Sequence, residues 1–211
     1  MSILSTIKWQ EYRDYTIDRI ASTGVDYDPY WHVFIEDILH PELFEMVQIE
    51  WPDFDACAWN TNIEGQSQHR KIFNPARNDE HAIQFWLDYY NNLIAHEAII
   101  DAAYRLEGLQ TGCDYVTASV WEDYPGYSVS NHIDSYTIDV AWQTYIYCDG
   151  GERWGTSLNN EQGEEQKRIP FVPNSGWIMN VDAYSWHSAD TIECDMRRSV
   201  MVRFMTRTRS G

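Results

Sequence analysis

The spacing of apolar positions changes character near residue 114. Before it, apolar residues recur at steps of three and four; after it, they alternate or run in short blocks between turn residues. Trp9 to Ile20 reads as a helix and Trp31 to Glu36 as a strand. Leu43, Phe44, Val47 and Trp51 stand at helical spacing behind Pro41, so a helix is predicted over Pro41 to Trp51, ended by Pro52. Ile83, Trp86, Leu87, Tyr90 and Ile94, then Ile99, Ala102 and Leu106, predict one long helix or two joined helices between Asn78 and Leu109, with an apolar stripe that covers a sheet. Eight strands follow: Tyr115 to Glu122, Ser128 to His132, Val140 to Tyr147, Thr156 to Leu158, Arg168 to Val172, Trp177 to Val181, His187 to Thr191 and Ser199 to Met205. Helices followed by short strands predict an α+β, mainly β chain. Its core would be a double-stranded β-helix, or jelly roll, over residues 114–205, buttressed by a largely helical 1–110 with one leading strand.

Composition agrees with this pattern. The chain of 211 residues fits one domain, 1–211, and its ten Trp and fourteen Tyr suit an extended antiparallel sheet. No internal repeat appears, and Asn159 to Lys167 reads as an exposed hairpin loop. The net charge of -18 comes from 33 acids against 15 bases, with no basic stripe, which argues against a nucleic-acid partner. An acidic mouth would favour neutral or cationic substrates. Met1 to Tyr12 lacks a basic start followed by an apolar run, and no stretch of about eighteen apolar residues occurs, so a cytoplasmic protein without membrane association is expected. Cys57, Cys113, Cys148 and Cys194 are widely spaced, which predicts reduced thiols rather than a zinc site or disulfide framework.

Candidate chemistry concentrates in the strand half. His132 and Asp134 stand two apart, and a strand of period two sends both to one face. With His187 they make two imidazoles and one carboxylate, the facial set that suits non-haem Fe(II) and leaves positions open. Arg197 follows with Ser199, a fork-shaped cation suited to a carboxylate. His40-Pro41-Glu42 shows similar spacing but reads as a helix start, and His96-Glu97 has Ile100 where a zinc protease would place its second His. His32, His69 and His81 have no such companions and read as surface or packing residues.

The order of these pieces resembles the Fe(II)/2-oxoglutarate-dependent oxygenases, especially their prolyl-hydroxylase-like branch, from about Asp114 to Met205 and more weakly over His32 to Pro52. Tyr124-Pro125-Gly126 followed by His132-Ile133-Asp134 is similar to that family's Tyr-Pro-Gly and His-x-Asp run. Thr144 to Asp149 is similar to its strand ending in Tyr-Leu-Asn, and Val172-Pro173-Asn174-Ser175-Gly176 to its Pro-x-x-Gly strand before the distal His. Trp154 to Leu158 stands where the family has Gly-Gly-Glu-Leu, with Thr156 replacing the second Gly. The resemblance implies Fe(II) held by His132, Asp134 and His187, and 2-oxoglutarate paired with Arg197, assisted by Ser199, Tyr147 and Tyr124. Tyr147 reads equally as a core aromatic, and Tyr124 as a turn-flanking one. Arg198 is the alternative to Arg197, which shares its strand face with Ser199 and Arg203.

The implied activity is that of a dioxygenase, with dioxygen as co-reactant: oxidative decarboxylation of 2-oxoglutarate coupled to hydroxylation of an unactivated C–H bond. Asp134 favours hydroxylation over halogenation, because halogenating relatives lack that carboxylate. A prolyl residue in a peptide and a small amino-acid-like metabolite are both candidate substrates, with Trp142, Trp154, Trp186, Tyr127 and Tyr136 as candidate walls or sheet packing. The alternative is a non-catalytic, metal-binding jelly-roll or cupin-like protein.

Overall fold

The computed structural model describes residues 6–54, 69–76, 82–106 and 113–207. Cys57, His81 and the two ends of the helical stretch expected from Asn78 to Leu109 lie outside the described residues.

The helical half folds as its periodicity requires. Helix α1 (Thr6–Ser22) buries Trp9, Tyr12, Thr16 and Ile20, a stripe at steps of three and four. It is followed by strand β1 (His32–Ile35) and helix α2 (Pro41–Ile49). His40 is the N-cap of α2, its side chain accepting from the Glu42 amide while Pro41 occupies the first turn, so this histidine is spent on the helix start. Strand β2 (Arg70–Phe73) was not predicted. The long helical stretch divides into α3 (Gln84–Tyr89), a π-helical turn at Tyr90–Ile94, and α4 (Glu97–Leu106). The His96 Nδ1 accepts from the Ala98 amide at the start of α4, which assigns that histidine to the break. Among the described residues no helix is long and apolar enough to cross a membrane.

Eight further strands follow among the described residues: β3 (Tyr115–Asp123), β4 (Val129–His132), β5 (Ile138–Cys148), β6 (Thr156–Asn159), β7 (Glu165–Ile169), β8 (Ser175–Asn180), β9 (His187–Ala189) and β10 (Arg197–Met205). The expected strand Arg168 to Val172 is displaced toward the N-terminus. Much of the expected loop Asn159 to Lys167 is paired β6–β7 ladder, with Asn160 Oδ1 accepting from the Glu164 amide across the turn. The strands form a six-stranded sheet of order β1-β8-β5-β10-β3-β2 and a four-stranded sheet of order β4-β9-β6-β7, all antiparallel. The architecture is mainly β with a helical layer.

Strand parity divides the larger sheet between two cores. Val140, Trp142, Ile146, Val200, Val202 and Phe204 face the helices and pack with Trp9, Leu43, Phe85 and Trp86. Ala141, Tyr145, Trp177, Met179 and Met201 face the smaller sheet, against Leu158, Ile169 and Phe171. Strand β5 is buried on both faces for most of its length, as a central strand between two layers must be. One irregularity in it matters for the site. Arg198 pairs with Tyr147 but Ser199 pairs with Tyr145, so Ile146 is an extra residue at a bulge.

Candidate active site

Two strand ends bring the metal-ligand candidates together. His132 closes β4 and His187 opens β9, and the two are directly opposite in the antiparallel pairing, with ring centroids 4.3 Å apart. Asp134, two residues past the end of β4, returns to the same face. His132 Nε2 lies 3.7 Å from Asp134 Oδ1, and His187 Nε2 lies 4.0 Å from Asp134 Oδ2. Two donors each roughly 2.1 Å from one ion are separated by at most about 4.2 Å, so these atoms lie within reach of a single ion.

The surrounding backbone fixes which ring atoms face inward. His132 Nδ1 is 2.9 Å from the Ser130 carbonyl and His187 Nδ1 is 2.9 Å from the Ser185 carbonyl. A proton on each Nδ1 leaves both Nε2 lone pairs for a metal, the usual outer-shell arrangement for a ligating histidine. Asp134 Oδ2 is buried without a hydrogen-bond partner, an orphaned polar atom of the kind a bound cation satisfies. The donor set is that of non-haem iron, so these residues fit Fe(II).

Charge around the three is uneven. The hydrogen bond to Asp134 raises the His132 pKa above its ordinary value, whereas burial lowers that of His187. For Asp134, burial pushes upward, but His132, His187 and Arg203 outweigh it and hold the carboxyl below its usual range.

The triad opens on a cavity of about 290 Å³ whose lining includes Arg70, Trp121, Tyr127, Gln143, Thr156, Trp177, Arg197, Met201 and Arg203. Arg197 faces this cavity and is 3% exposed. Arg198 points to the other face, bonded to Glu122 at 2.9 Å and packed near Trp51. Arg197 is held by Asp123, with Nε and Nη2 at 3.0 and 2.9 Å from Oδ2, and its Nη1 donates to the Trp154 carbonyl at 2.6 Å. Arg70 binds the same carboxylate through Nε at 2.5 Å and Nη2 at 3.0 Å. Register explains the cluster: Arg70, Asp123 and Arg197 are cross-strand partners on β2, β3 and β10. Burial of Asp123 works to raise its pKa, but the two guanidiniums prevail and hold it below the carboxylate range.

Three expected cosubstrate contacts are placed differently. Ser199 shares the face of Arg197 but is fully buried, accepting from Gln143 Nε2 at 3.0 Å, so Gln143 rather than Ser199 meets the cavity. Tyr147 is 41% exposed, because the bulge at Ile146 pairs it with outward Arg198. Tyr145 takes the inward position instead, bonded to Thr156 Oγ1 at 2.7 Å and to Trp177 Nε1 at 3.0 Å. Tyr124 bonds Glu122 and lines a separate depression with Trp51, Lys71 and Arg198.

The aromatic walls are also partly reassigned. Tyr127 lines the cavity as expected, but Trp142 is in the helix-side core, Trp154 packs with Tyr127, Ile192 and Cys194, and Tyr136 is exposed. Trp121 and Trp177 form the wall in their place. With Arg70, Arg197 and Arg203 around it, the cavity wall is cationic, contrary to the acidic mouth expected from net charge. Arg70 carries no signal in the sequence, because its four-residue strand is too short to show a period, and Arg203 is marked there only by its even offset from Arg197. His32 is buried with Nδ1 against the Tyr30 carbonyl, a packing role as expected. Cys148 and Cys194, far apart in sequence, bring their sulfurs to 3.4 Å; both are free thiols.

No family model matches the chain, and no curated protein matches it. Solved structures do. A prolyl-4-hydroxylase from Pseudomonas putida matches with a TM-score of 0.63 at 15% identity, over 92% of this chain and 98% of that one. A prolyl hydroxylase from Trichoplax adhaerens, in complex with a peptide fragment of the hypoxia-inducible-factor oxygen degradation domain, matches with a TM-score of 0.60 at 13% identity, over 96% and 94%. The non-haem α-ketoglutarate-dependent epimerase SnoN, from nogalamycin biosynthesis, matches with a TM-score of 0.60 at 14% identity, over 95% and 83%. The chain therefore has the fold of the prolyl-hydroxylase-like 2-oxoglutarate/Fe(II) oxygenases.

Proposed function

We propose that this protein is a non-haem Fe(II)/2-oxoglutarate-dependent dioxygenase, built on a double-stranded β-helix and hydroxylating an unactivated C–H bond. The observation that carries this reading is the convergence of His132, His187 and the orphaned carboxylate of Asp134 at the mouth of a cavity walled by Arg197. His132, Asp134 and His187 would hold the iron, with the Ser130 and Ser185 carbonyls fixing the two rings. When bound, iron and 2-oxoglutarate supply dioxygen activation, with succinate and carbon dioxide as co-products.

Arg197 would take the distal carboxylate of 2-oxoglutarate. Of its five N–H groups, three are engaged by Asp123 and Trp154, and two remain for an incoming anion. Gln143 and Thr156 stand beside it as further donors, and Ser199 positions Gln143. Trp121, Trp177, Tyr127 and Met201 give the cavity apolar walls that exclude water from the reacting bond. The peptide-bound neighbour supports a prolyl peptide as substrate, and the epimerase supports a small metabolite.

The test is spectroscopic. Fe(II) and 2-oxoglutarate added under argon should give the weak visible charge-transfer band of the chelate, and admitting oxygen should release succinate. His132→Ala should abolish the band through loss of iron, and Arg197→Ala should weaken 2-oxoglutarate binding by about tenfold or more, the loss of a charge-assisted pair. A wild-type protein that binds metal but shows neither band nor succinate would leave a non-catalytic jelly roll.

A further inference from the structure

Among the described residues, one cation of the cavity wall forms no hydrogen bond or ion pair with the metal triad or the Arg197 cluster, and acts on Asp134 only through space. Arg203 stands on β10 at an even offset from Arg197, so both face the cavity. Six residues of strand set their Cα atoms about 20 Å apart, so the two side chains approach the cavity from different ends of its floor. Arg197 and Arg70 share Asp123, but among the described residues Arg203 makes no hydrogen bond or ion pair. Its guanidinium stacks 5.2 Å from the Trp121 ring, which also carries Arg70 at 3.6 Å. Burial lowers the Arg203 pKa; Asp134 opposes the shift and Arg70 adds to it. Arg203 is half-buried, so its guanidinium faces the cavity with no direct partner where an incoming anion can reach it.

A second unsatisfied group lies beside it. The Tyr127 hydroxyl is fully buried without a partner, on a ring that lines the cavity and packs 4.0 Å from Arg70. Burial pushes that hydroxyl up to about 12, so it stays protonated and available to donate.

Charge balance points the same way. Three guanidiniums face the carboxylates of Asp123 and Asp134, leaving one positive charge. Iron's two charges are matched by the two of 2-oxoglutarate, so the loaded cavity still lacks one negative charge.

We propose that Arg203, with Tyr127 and Arg70 beside it, seats a carboxylate of the substrate, so that the protein acts on a carboxylate-bearing small molecule or chain terminus rather than on an internal peptide segment. This rests on the oxygenase reading above and names its substrate class. Trp121 and Met201 would cover the apolar body of such a molecule while the carboxylate lies against the guanidinium.

The experiment uses full-length protein loaded anaerobically with Fe(II) and 2-oxoglutarate. N-acetylglycine, N-acetyl-L-proline and N-acetyl-L-leucine are titrated against their primary amides, following the charge-transfer band. At least one acid should perturb the band saturably, at concentrations about tenfold or more below its amide. Arg203→Met should lose that response by about tenfold or more while its half-saturation for 2-oxoglutarate stays within about threefold of wild type, and Arg203→Lys should recover part of it.

Equal responses to acids and amides, no response to any of the six, or an unchanged acid response in Arg203→Met would overturn the proposal. So would a loss of about tenfold or more in 2-oxoglutarate affinity in Arg203→Met, which would place Arg203 on the cosubstrate instead. A wild-type protein with no band at all brings down the oxygenase reading itself, a separate result.

Discussion

Asp123 is wholly buried between the guanidiniums of Arg70 and Arg197, and it orients the cation proposed for 2-oxoglutarate. Removing its charge leaves two buried cations facing a neutral amide, so Asp123→Asn is expected to cost about 3–5 kcal/mol in urea unfolding at pH 7. The pH dependence follows from the direction of the shift. A carboxylate held below its usual range contributes stability above its unfolded pKa of about 3.9 and loses it as pH falls through the lower folded value. The stability gap between wild type and Asp123→Asn should therefore be full at neutral pH and shrink as pH falls below about 4. A gap that stays constant down to about pH 2 would mean that the ion pairs contribute nothing.

At the scale of elements, the site depends on how closely the strands of the smaller sheet pack beside one another. Gly155 begins the approach of β6 to β7, and a Cβ there would lie 1.8 Å from the Ile169 carbonyl oxygen. Backbone cannot move aside as a side-chain tip can. Gly155→Ala should therefore destabilise the protein by about 1–3 kcal/mol or more, read as a lower thermal midpoint. Since β6 also pairs with β9 through Leu158 and His187, the same variant should bind iron more weakly. A variant with wild-type midpoint and iron affinity would show that the hairpin shifts freely. The bulge in β5 acts at this scale too, turning Tyr147 outward and leaving Tyr145 against Thr156.

The whole molecule carries a net charge of -18 around a cavity walled by three arginines. Like charges over the surface oppose compaction, and salt screens them over about 10 Å at 0.1 M. Raising sodium chloride from about 0.01 to about 0.15 M should thus raise the thermal midpoint of the metal-free protein. The buried Arg70–Asp123–Arg197 cluster is shielded from that screening. A midpoint that falls with salt would assign stability to surface ion pairs such as Lys8–Glu11 and Arg153–Glu193 instead.

Local periodicity, fixed by backbone geometry, was readable in the chain itself: mostly helices before residue 114, strands after it, and Arg197 favoured over Arg198 because Ser199 and Arg203 share its face; Asp134 lies past the end of β4, so strand period does not account for its place beside His132. Contacts between distant segments were not readable. The pairing of His132 with His187 and the row Arg70–Asp123–Arg197 depend on register between residues as much as 74 apart in sequence, and the approach of Cys148 to Cys194 on a segment that returns across 46. Trp142 and Trp177 could not be sorted by pattern, because a central strand buried on both faces is apolar on both. Nor could net charge foretell the cavity, since it sums over all residues while folding selects which few face inward. A single extra residue at Ile146 reversed the facing of Tyr147, because side chains alternate with period two and only the paired sheet shows where that count slips.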